Sequence, residues 1–216
     1  MRFNTILFDL DGTLTDPAEG ITNSVAYALK KMGISPPDKQ ELLKFIGPPL
    51  AESFEKYYSL SKEESYKAVD IYREYFAPYV IFENKVYEGI PQLLETLKNS
   101  GKTIALATSK PTVFAKKILE HFDLDKYFDL VIGSNLDGTL TDKGEVIATV
   151  IEKIEDIDLS KAAMIGDRHH DIKGAVKNGV FPIGVSFGYG SIEELESSGA
   201  QYVANSPAEL KEFLLK

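Results

Sequence analysis

Cysteine is absent from these 216 residues, which excludes a disulfide framework and thiol chemistry. A cluster of lysine and arginine is missing too: 24 basic against 33 acidic residues give a formal charge of -9 and a pI near 4.9. Without a basic footprint to neutralise a phosphate backbone, a nucleic-acid polymer is not an expected partner. An acidic total still permits one local phosphate pocket. No apolar run approaches the roughly 20 residues needed to cross a bilayer, so no membrane partner is expected. The N-terminus lacks the basic segment, apolar stretch and small-residue site of a signal peptide, which makes the expected location cytoplasmic. The 44% hydrophobic content suffices for one substantial core with an inserted subdomain, but not for several independent domains.

The most informative segment is Ile6-Leu7-Phe8-Asp9-Leu10-Asp11-Gly12-Thr13, where an apolar run ends in a turn carrying two aspartates one residue apart. A buried strand of this kind ends at the carboxyl edge of a sheet, where open α/β folds keep their ligands. One carboxylate can attack and the other can move a proton. The heptapeptide LDGTLTD occurs at residues 10–16 and again at 136–142, yet the position of Asp9 is taken by Asn135 in the second copy. A neutral amide is no anionic nucleophile, so the second copy reads as a turn of Asn, Asp, Gly and Thr.

From residue 89 onward, strand and helix patterns alternate. Strands are expected at 102–108, 129–133, 162–166 and 181–185 and around Tyr202 and Val203; helices near 90–100, 112–122, 145–155 and 170–178 lie between them. Helices led by Ser191 and Ser206 carry capping-box signatures, the second with Pro207 at its first position. Such alternation implies a parallel sheet covered on both faces. With strand 3–8 added, the fold class is α/β, a Rossmann-like doubly wound parallel sheet. Residues 17–85 break the pattern with helical periodicity, a stop at Gly33 and a new start at Ser61-Lys62-Glu63-Glu64. They read as an inserted α-helical cap, a lid that could exclude water from Asp9; residues 1–16 and 86–216 form the catalytic core. The stripe Tyr66, Tyr72, Tyr75, Phe76 and Tyr79 is expected to pack between helices.

Two more segments end at the same predicted edge. Thr108, Ser109 and Lys110 follow an apolar strand and offer two hydroxyls and an ammonium to phosphate oxygens. Gly166-Asp167-Arg168-His169-His170-Asp171 places Asp167 and Asp171 at a strand-to-helix turn, able to face one metal. His169 and His170 are adjacent on a helix, point in different directions, and read as solvent-facing or packing side chains.

Together these motifs resemble those of haloacid dehalogenase superfamily phosphatases, closest to the phosphoglycolate phosphatase and small 5'-nucleotidase branches, across nearly the whole chain. Asp9 to Thr13 match the first motif, Thr108 the second, and Gly166-Asp167 with Asp171 the acidic fourth. The resemblance implies a magnesium-dependent aspartyl-phosphate mechanism and makes Phe45 to Leu50 similar to a cap stretch that faces substrate in these enzymes; the residues read equally well as a helix turn ended by proline. For the third-motif lysine, Lys143 is favoured because its ammonium and a helix N-terminus could converge on one anion, with Lys110 as the alternative.

Charge then shapes the expected chemistry. Four carboxylates and a phosphoester need a counter-ion, and an all-oxygen ligand set suits Mg2+, held by Asp9, Asp167 and the Asp11 carbonyl, with Asp171 nearby. Asp9 is the expected nucleophile. Asp11, protonated because neighbouring negative charge raises its pKa, is the acid and then the base. A halide leaves without a proton, so Asp11 argues against dehalogenation. Thr108, Ser109 and a lysine hold the transferring group. The expected substrate is a small phosphorylated metabolite, phosphoglycolate or a nucleoside 5'-monophosphate, and the expected state is a monomer. A sugar phosphomutase or a catalytically silent phosphometabolite-binding protein are the alternatives.

Overall fold

Ile6, Leu7 and Phe8 have no exposed surface; a strand apolar on both faces belongs inside a layered sheet. The computed structural model describes residues 3–79 and 82–216. Its strands, in chain order, are β1 (Thr5–Phe8), β2 (Thr15–Asp16), β3 (Lys85–Val86), β4 (Thr103–Pro111), β5 (Leu130–Ser134), β6 (Ala162–Gly166), β7 (Phe181–Val185) and β8 (Tyr202–Ala204). Six of them form one parallel sheet in the order β5-β4-β1-β6-β7-β8, while β2 and β3 pair separately. The fold is thus the expected Rossmann-like α/β sheet. The chain runs outward from β1 through β4 to β5, then returns to the other side of β1 as β6. A reversal there opens a crevice at the carboxyl ends of β1, β4 and β6.

The chain divides into two compact units, residues 1–16 with 86–216, and residues 17–85. The first unit holds the sheet together with α5 (Ile90–Asn99), α6 (Thr112–His121), α7 (Lys143–Lys153), α8 (His169–Lys177), α9 (Ile192–Ser197) and α10 (Pro207–Leu215); the second holds α1 (Ala18–Lys31), α2 (Lys39–Leu42), α3 (Leu50–Tyr58) and α4 (Lys62–Tyr79). In the sheet unit Leu7, Ala105, Ala107, Val146, Ile147, Val150 and Met164 form a core without solvent exposure. That core packs α7 against the sheet and so fixes the start of α7.

In the helical unit, α1 ends before Gly33, whose φ of +77° favours glycine. The start of α4 is a reciprocal capping box: Ser61 Oγ accepts from Glu64 N–H, and Glu64 Oε2 accepts from Ser61 N–H at 2.8 Å. The aromatic stripe is only partly interhelical. Tyr72 and Phe76 are buried, but Tyr66 and Tyr79 are nearly half exposed, because a stripe that wide exceeds one helix face. Phe45 is buried among Phe54, Tyr57 and Tyr58, its ring 5.0 Å from that of Phe54.

Several boundaries differ from the sequence reading. The first strand begins at Thr5 rather than residue 3; residues 1, 2, 80 and 81 lie outside the described chain. Most consequential is β4, which continues to Pro111, with its pairing to β5 shifting between Thr108 and Pro111. Such an irregularity turns side chains that strict alternation would have sent elsewhere. The α7 helix starts at Lys143, not beyond it. Ser191 and Ser206 do cap their helices by accepting from Glu194 and Glu209 N–H, but both glutamates carry their carboxylates to other partners. Glu209 reaches Asn205 and Tyr202.

Candidate active site

The β1 ladder extends one residue past the strand, since Asp9 N–H donates to Ile165 O at 2.9 Å. This seats the Asp9 carboxylate, buried, at the sheet edge. Facing it is Lys143, the first residue of α7, whose helix is capped by Asp142 accepting from Glu145 N–H at 3.0 Å. The Lys143 ammonium lies 2.7 Å from Asp9 Oδ1 and 2.9 Å from Asp171 Oδ1, and donates to Ala107 O at 3.1 Å. Burial alone pushes this lysine toward neutrality, but the carboxylates of Asp171 and Asp9 outweigh it and raise its pKa. Lys110 sits elsewhere in the site, 2.6 Å from Asp11 Oδ2. The two candidate lysines are therefore divided between the two aspartates of the first motif.

Asp167 and Asp171 come from the β6–α8 turn. The close packing of these two acids leaves no room for a side chain at Gly12 or Gly166. A Cβ on Gly12, already at φ +85°, would stand 2.2 Å from Asp167 Oδ2, and one on Gly166 would stand 2.2 Å from Asp171 Cβ. Asp9, Asp167 and Asp171 are all buried and bring ligand oxygens within 4.8 Å of one another, a grouping able to hold a metal ion. Lys143 answers two of these acids. The third, Asp167, accepts Tyr189 N–H at 2.8 Å and the Thr13 hydroxyl at 3.4 Å. Burial, with Asp171 and Asp9 close by, raises the Asp167 carboxyl well above the ordinary range. Three buried carboxylates sharing one ammonium fit a divalent cation bound through oxygen.

Asp11 also has a raised pKa, though for a reason other than the one read from sequence. Desolvation by burial is the largest cause, Lys110 opposes it, and the charge of Asp9 contributes less. Asp11 Oδ1 is buried without a hydrogen-bond partner among the described residues, an arrangement suited to a protonated acid awaiting an acceptor. Thr108 is buried beside these groups, with its hydroxyl accepting from Lys110 N–H at 3.2 Å. Ser109 is turned by the β4 irregularity to donate to Thr141 O at 3.1 Å, which braces the loop leading into Lys143. His169 and His170 do not join the acidic group. Their rings lie 3.8 Å apart, and burial lowers His170 to about 4, keeping it neutral.

Two participants escaped the sequence reading. Tyr189 supplies a main-chain donor to Asp167 while its phenol donates to Asp16; the available signal was Gly188-Tyr189-Gly190, a glycine-flanked turn after another parallel strand. Glu194 accepts from Arg168 and His169 inside the turn that carries the fourth motif. Its carboxyl is pushed up by burial, yet the His169 and Arg168 donors prevail and hold it at about 2. Nothing in a helix-capping pattern signals that bond.

Comparison with known proteins follows the same lines. A family model described as haloacid dehalogenase-like hydrolase matches residues 6–185. The chain is 46% identical to a 5'-nucleotidase of Pseudomonas aeruginosa over 99% of its own length and 96% of the relative. It is 32% identical to a Mycobacterium tuberculosis protein named tyrosine-protein kinase PtkA, over 97% of this chain and 72% of that one. Among solved structures, a predicted phosphatase from Clostridium acetobutylicum aligns with a TM-score of 0.96 at 52% identity, covering 100% of this chain and 99% of that one.

Proposed function

The chain belongs to the haloacid dehalogenase-like hydrolases, and we propose that it is a magnesium-dependent phosphatase that cleaves small phosphomonoesters, a nucleoside 5'-monophosphate before phosphoglycolate, through an aspartyl-phosphate on Asp9. The observation that carries this reading is the pairing within the first motif. Asp9 stands at the end of the central strand with an ammonium 2.7 Å away, and Asp11, two residues on, presents a buried oxygen without a hydrogen-bond partner among the described residues.

Asp9 attacks phosphorus and the ester oxygen departs with a proton from Asp11. Asp11, now a carboxylate, takes a proton from the water that cleaves the acyl phosphate, and inorganic phosphate leaves. The transferring group is held by Thr108, the main-chain N–H of Ser109 and Lys143. Lys110 keeps Asp11 aimed and charge-balanced. Asp9, Asp167 and Asp171, with the main-chain carbonyl of Asp11, are the residues that would hold Mg2+. When bound, the cation supplies positive charge that offsets the acids and the phosphate. The 46% identical relative named 5'-nucleotidase supports placing nucleoside monophosphates first. Intact acids at 9, 11 and 167 argue against a silent binding protein, and the alcohol-protonating Asp11 argues against dehalogenation.

The deciding experiment is release of inorganic phosphate from p-nitrophenyl phosphate, nucleoside 5'-monophosphates and phosphoglycolate, with and without Mg2+, in parallel with Asp9→Asn. Metal-dependent turnover that vanishes in the variant is expected. Turnover that survives in Asp9→Asn overturns the nucleophile assignment. The relative named tyrosine-protein kinase supplies a second reading, which predicts phosphotyrosine formed from ATP on a tyrosine-containing copolymer; the phosphatase reading predicts none.

A further inference from the structure

Glu194 belongs to α9 rather than to any acid-bearing segment, yet a single oxygen, Oε1, gathers three donors from the fourth motif. They are His169 N–H at 2.9 Å, His169 ring Nδ1 at 2.8 Å and Arg168 Nε at 3.0 Å. Residues 168 and 169 form the middle of the turn that has Asp167 at one end and Asp171 at the other. From inside the turn, Asp171 Oδ2 accepts Arg168 N–H at 3.0 Å. The segment is thus gripped from both sides, by one of its own acids and by Glu194.

The grip matters because of what Arg168 is. A guanidinium one residue from a buried carboxylate offers five N–H donors that match carboxylate oxygens in pairs. Its charge already acts on Asp167, so it is a built-in competitor with any cation that the acids attract. A lysine-sized point charge already occupies the Asp9 and Asp171 side of the group; a second organic cation on Asp167 would complete its neutralisation without any metal. Glu194 gives Arg168 an alternative carboxylate and at the same time pins the turn through His169 N–H.

We infer that Glu194 is a positioning residue that engages Arg168, leaves the Asp9, Asp167 and Asp171 group open, and so sets its affinity for a divalent cation. This rests on the metal-dependent reading given above, but it assigns a role to a residue that touches neither the metal group nor substrate. The mechanism differs from simple bracing in one respect: if Arg168 is the competitor, deleting it must compensate for the loss of Glu194.

The test is calorimetric titration of Mg2+ into metal-free full-length protein without substrate, using wild type, Glu194→Ala, Arg168→Ala and the double variant, each checked for cooperative melting. Losing a contact in the shell around a metal site typically weakens binding about tenfold to a hundredfold, so Glu194→Ala should fall in that range, Arg168→Ala within about twofold of wild type, and the double variant within about threefold. Should Glu194→Ala fail to fold, Glu194→Gln with and without Arg168→Ala gives the same comparison. Wild-type affinity in Glu194→Ala, or a double variant as weak as the single, overturns the inference while leaving the metal reading intact. A wild type that does not bind Mg2+ overturns both.

Discussion

Lys143→Met removes an ammonium while keeping an unbranched side chain, and it tests the electrostatics of the whole site at once. In the native protein that ammonium lies 2.7 Å from Asp9 and 2.9 Å from Asp171, and all three groups are buried. Removing one partner of a buried ion pair costs about 3–5 kcal/mol because the other charge is left unpaired. At about 2–4 °C per kcal/mol for a chain of this size, the melting temperature should fall by about 6–20 °C. The loss must depend on pH. Burial pushes the Asp171 carboxyl up to about 6 even though Lys143 pulls it down, against an unfolded value of about 4. The folded protein therefore keeps a proton that the unfolded chain releases. The stability contributed by this proton is complete below about pH 4 and lost as pH rises through about 6, a change of about 3 kcal/mol at 1.36 kcal/mol per pKa unit. Without Lys143 the folded value climbs further, so protonation rescues the variant at about pH 5 and fails to do so at about pH 8. Thermal melts of the metal-free proteins in the two buffers read this directly. A deficit of equal size in both, or none at about pH 8, refutes the argument.

Three further outcomes follow from the same geometry. Asp9→Asn keeps the shape of the buried group, so turnover of p-nitrophenyl phosphate should drop below detection while the far-ultraviolet circular dichroism spectrum is unchanged. In Gly12→Ala the new methyl would meet Asp167 at 2.2 Å in a backbone with φ +85°; a left-handed non-glycine residue alone costs about 1–2 kcal/mol, and displacement of Asp167 should also weaken Mg2+ binding by calorimetry. Mg2+ at one fixed concentration, about a hundred times the Kd that holds above the raised carboxyl range, should stabilise the protein there by about 2.7 kcal/mol and by less below that range, where protons compete for the same oxygens; equal gains on both sides of that range would count against the acidic group as the binding site.

The sequence exposed the fold through its periods. Runs such as Ile104-Ala105-Leu106-Ala107 and Ala162-Ala163-Met164-Ile165 are too apolar for any strand but one buried on both faces, and the capping serines at 61, 191 and 206 marked helix starts. The same order of strands and turns predicts Asp9, Thr108 and Asp167 at one edge of the sheet. What stayed hidden depends on contacts far apart in the chain. No local pattern shows that Lys143 reaches back 134 residues to Asp9 or that Lys110 belongs to Asp11. Nor does one show that Ser109 turns away, because that follows from a break in the β4–β5 register rather than from residue type. Glu194 was legible only as a helix-capping residue, the role that its amide plays while its carboxylate acts elsewhere.

The repeated heptapeptide makes the weight of such context measurable within one molecule. Both copies turn at a glycine with φ +85°, so the local backbone instruction is shared. In the exposed second copy, Asp137 spends its carboxylate on its own turn, accepting from Thr139 N–H at 2.9 Å and the Thr139 hydroxyl at 2.7 Å, and these bonds hold its carboxyl below the ordinary range. In the buried first copy, the equivalent Asp11 has one oxygen on Lys110 and one without a hydrogen-bond partner among the described residues, and burial drives its carboxyl in the opposite direction. Asp16 accepts the Tyr189 phenol, whereas its counterpart Asp142 caps α7 and thereby sets the helix that delivers Lys143. Identical residues thus yield a buried carboxyl with a raised pKa in one copy, and a self-satisfied turn leading into a helix cap in the other. The difference comes from the sheet edge beneath the first copy, where β1, β4 and β6 exclude water and the motif cannot satisfy itself. The first copy keeps carboxylate oxygens open to a ligand only because folding denies them the local partners that the second copy uses.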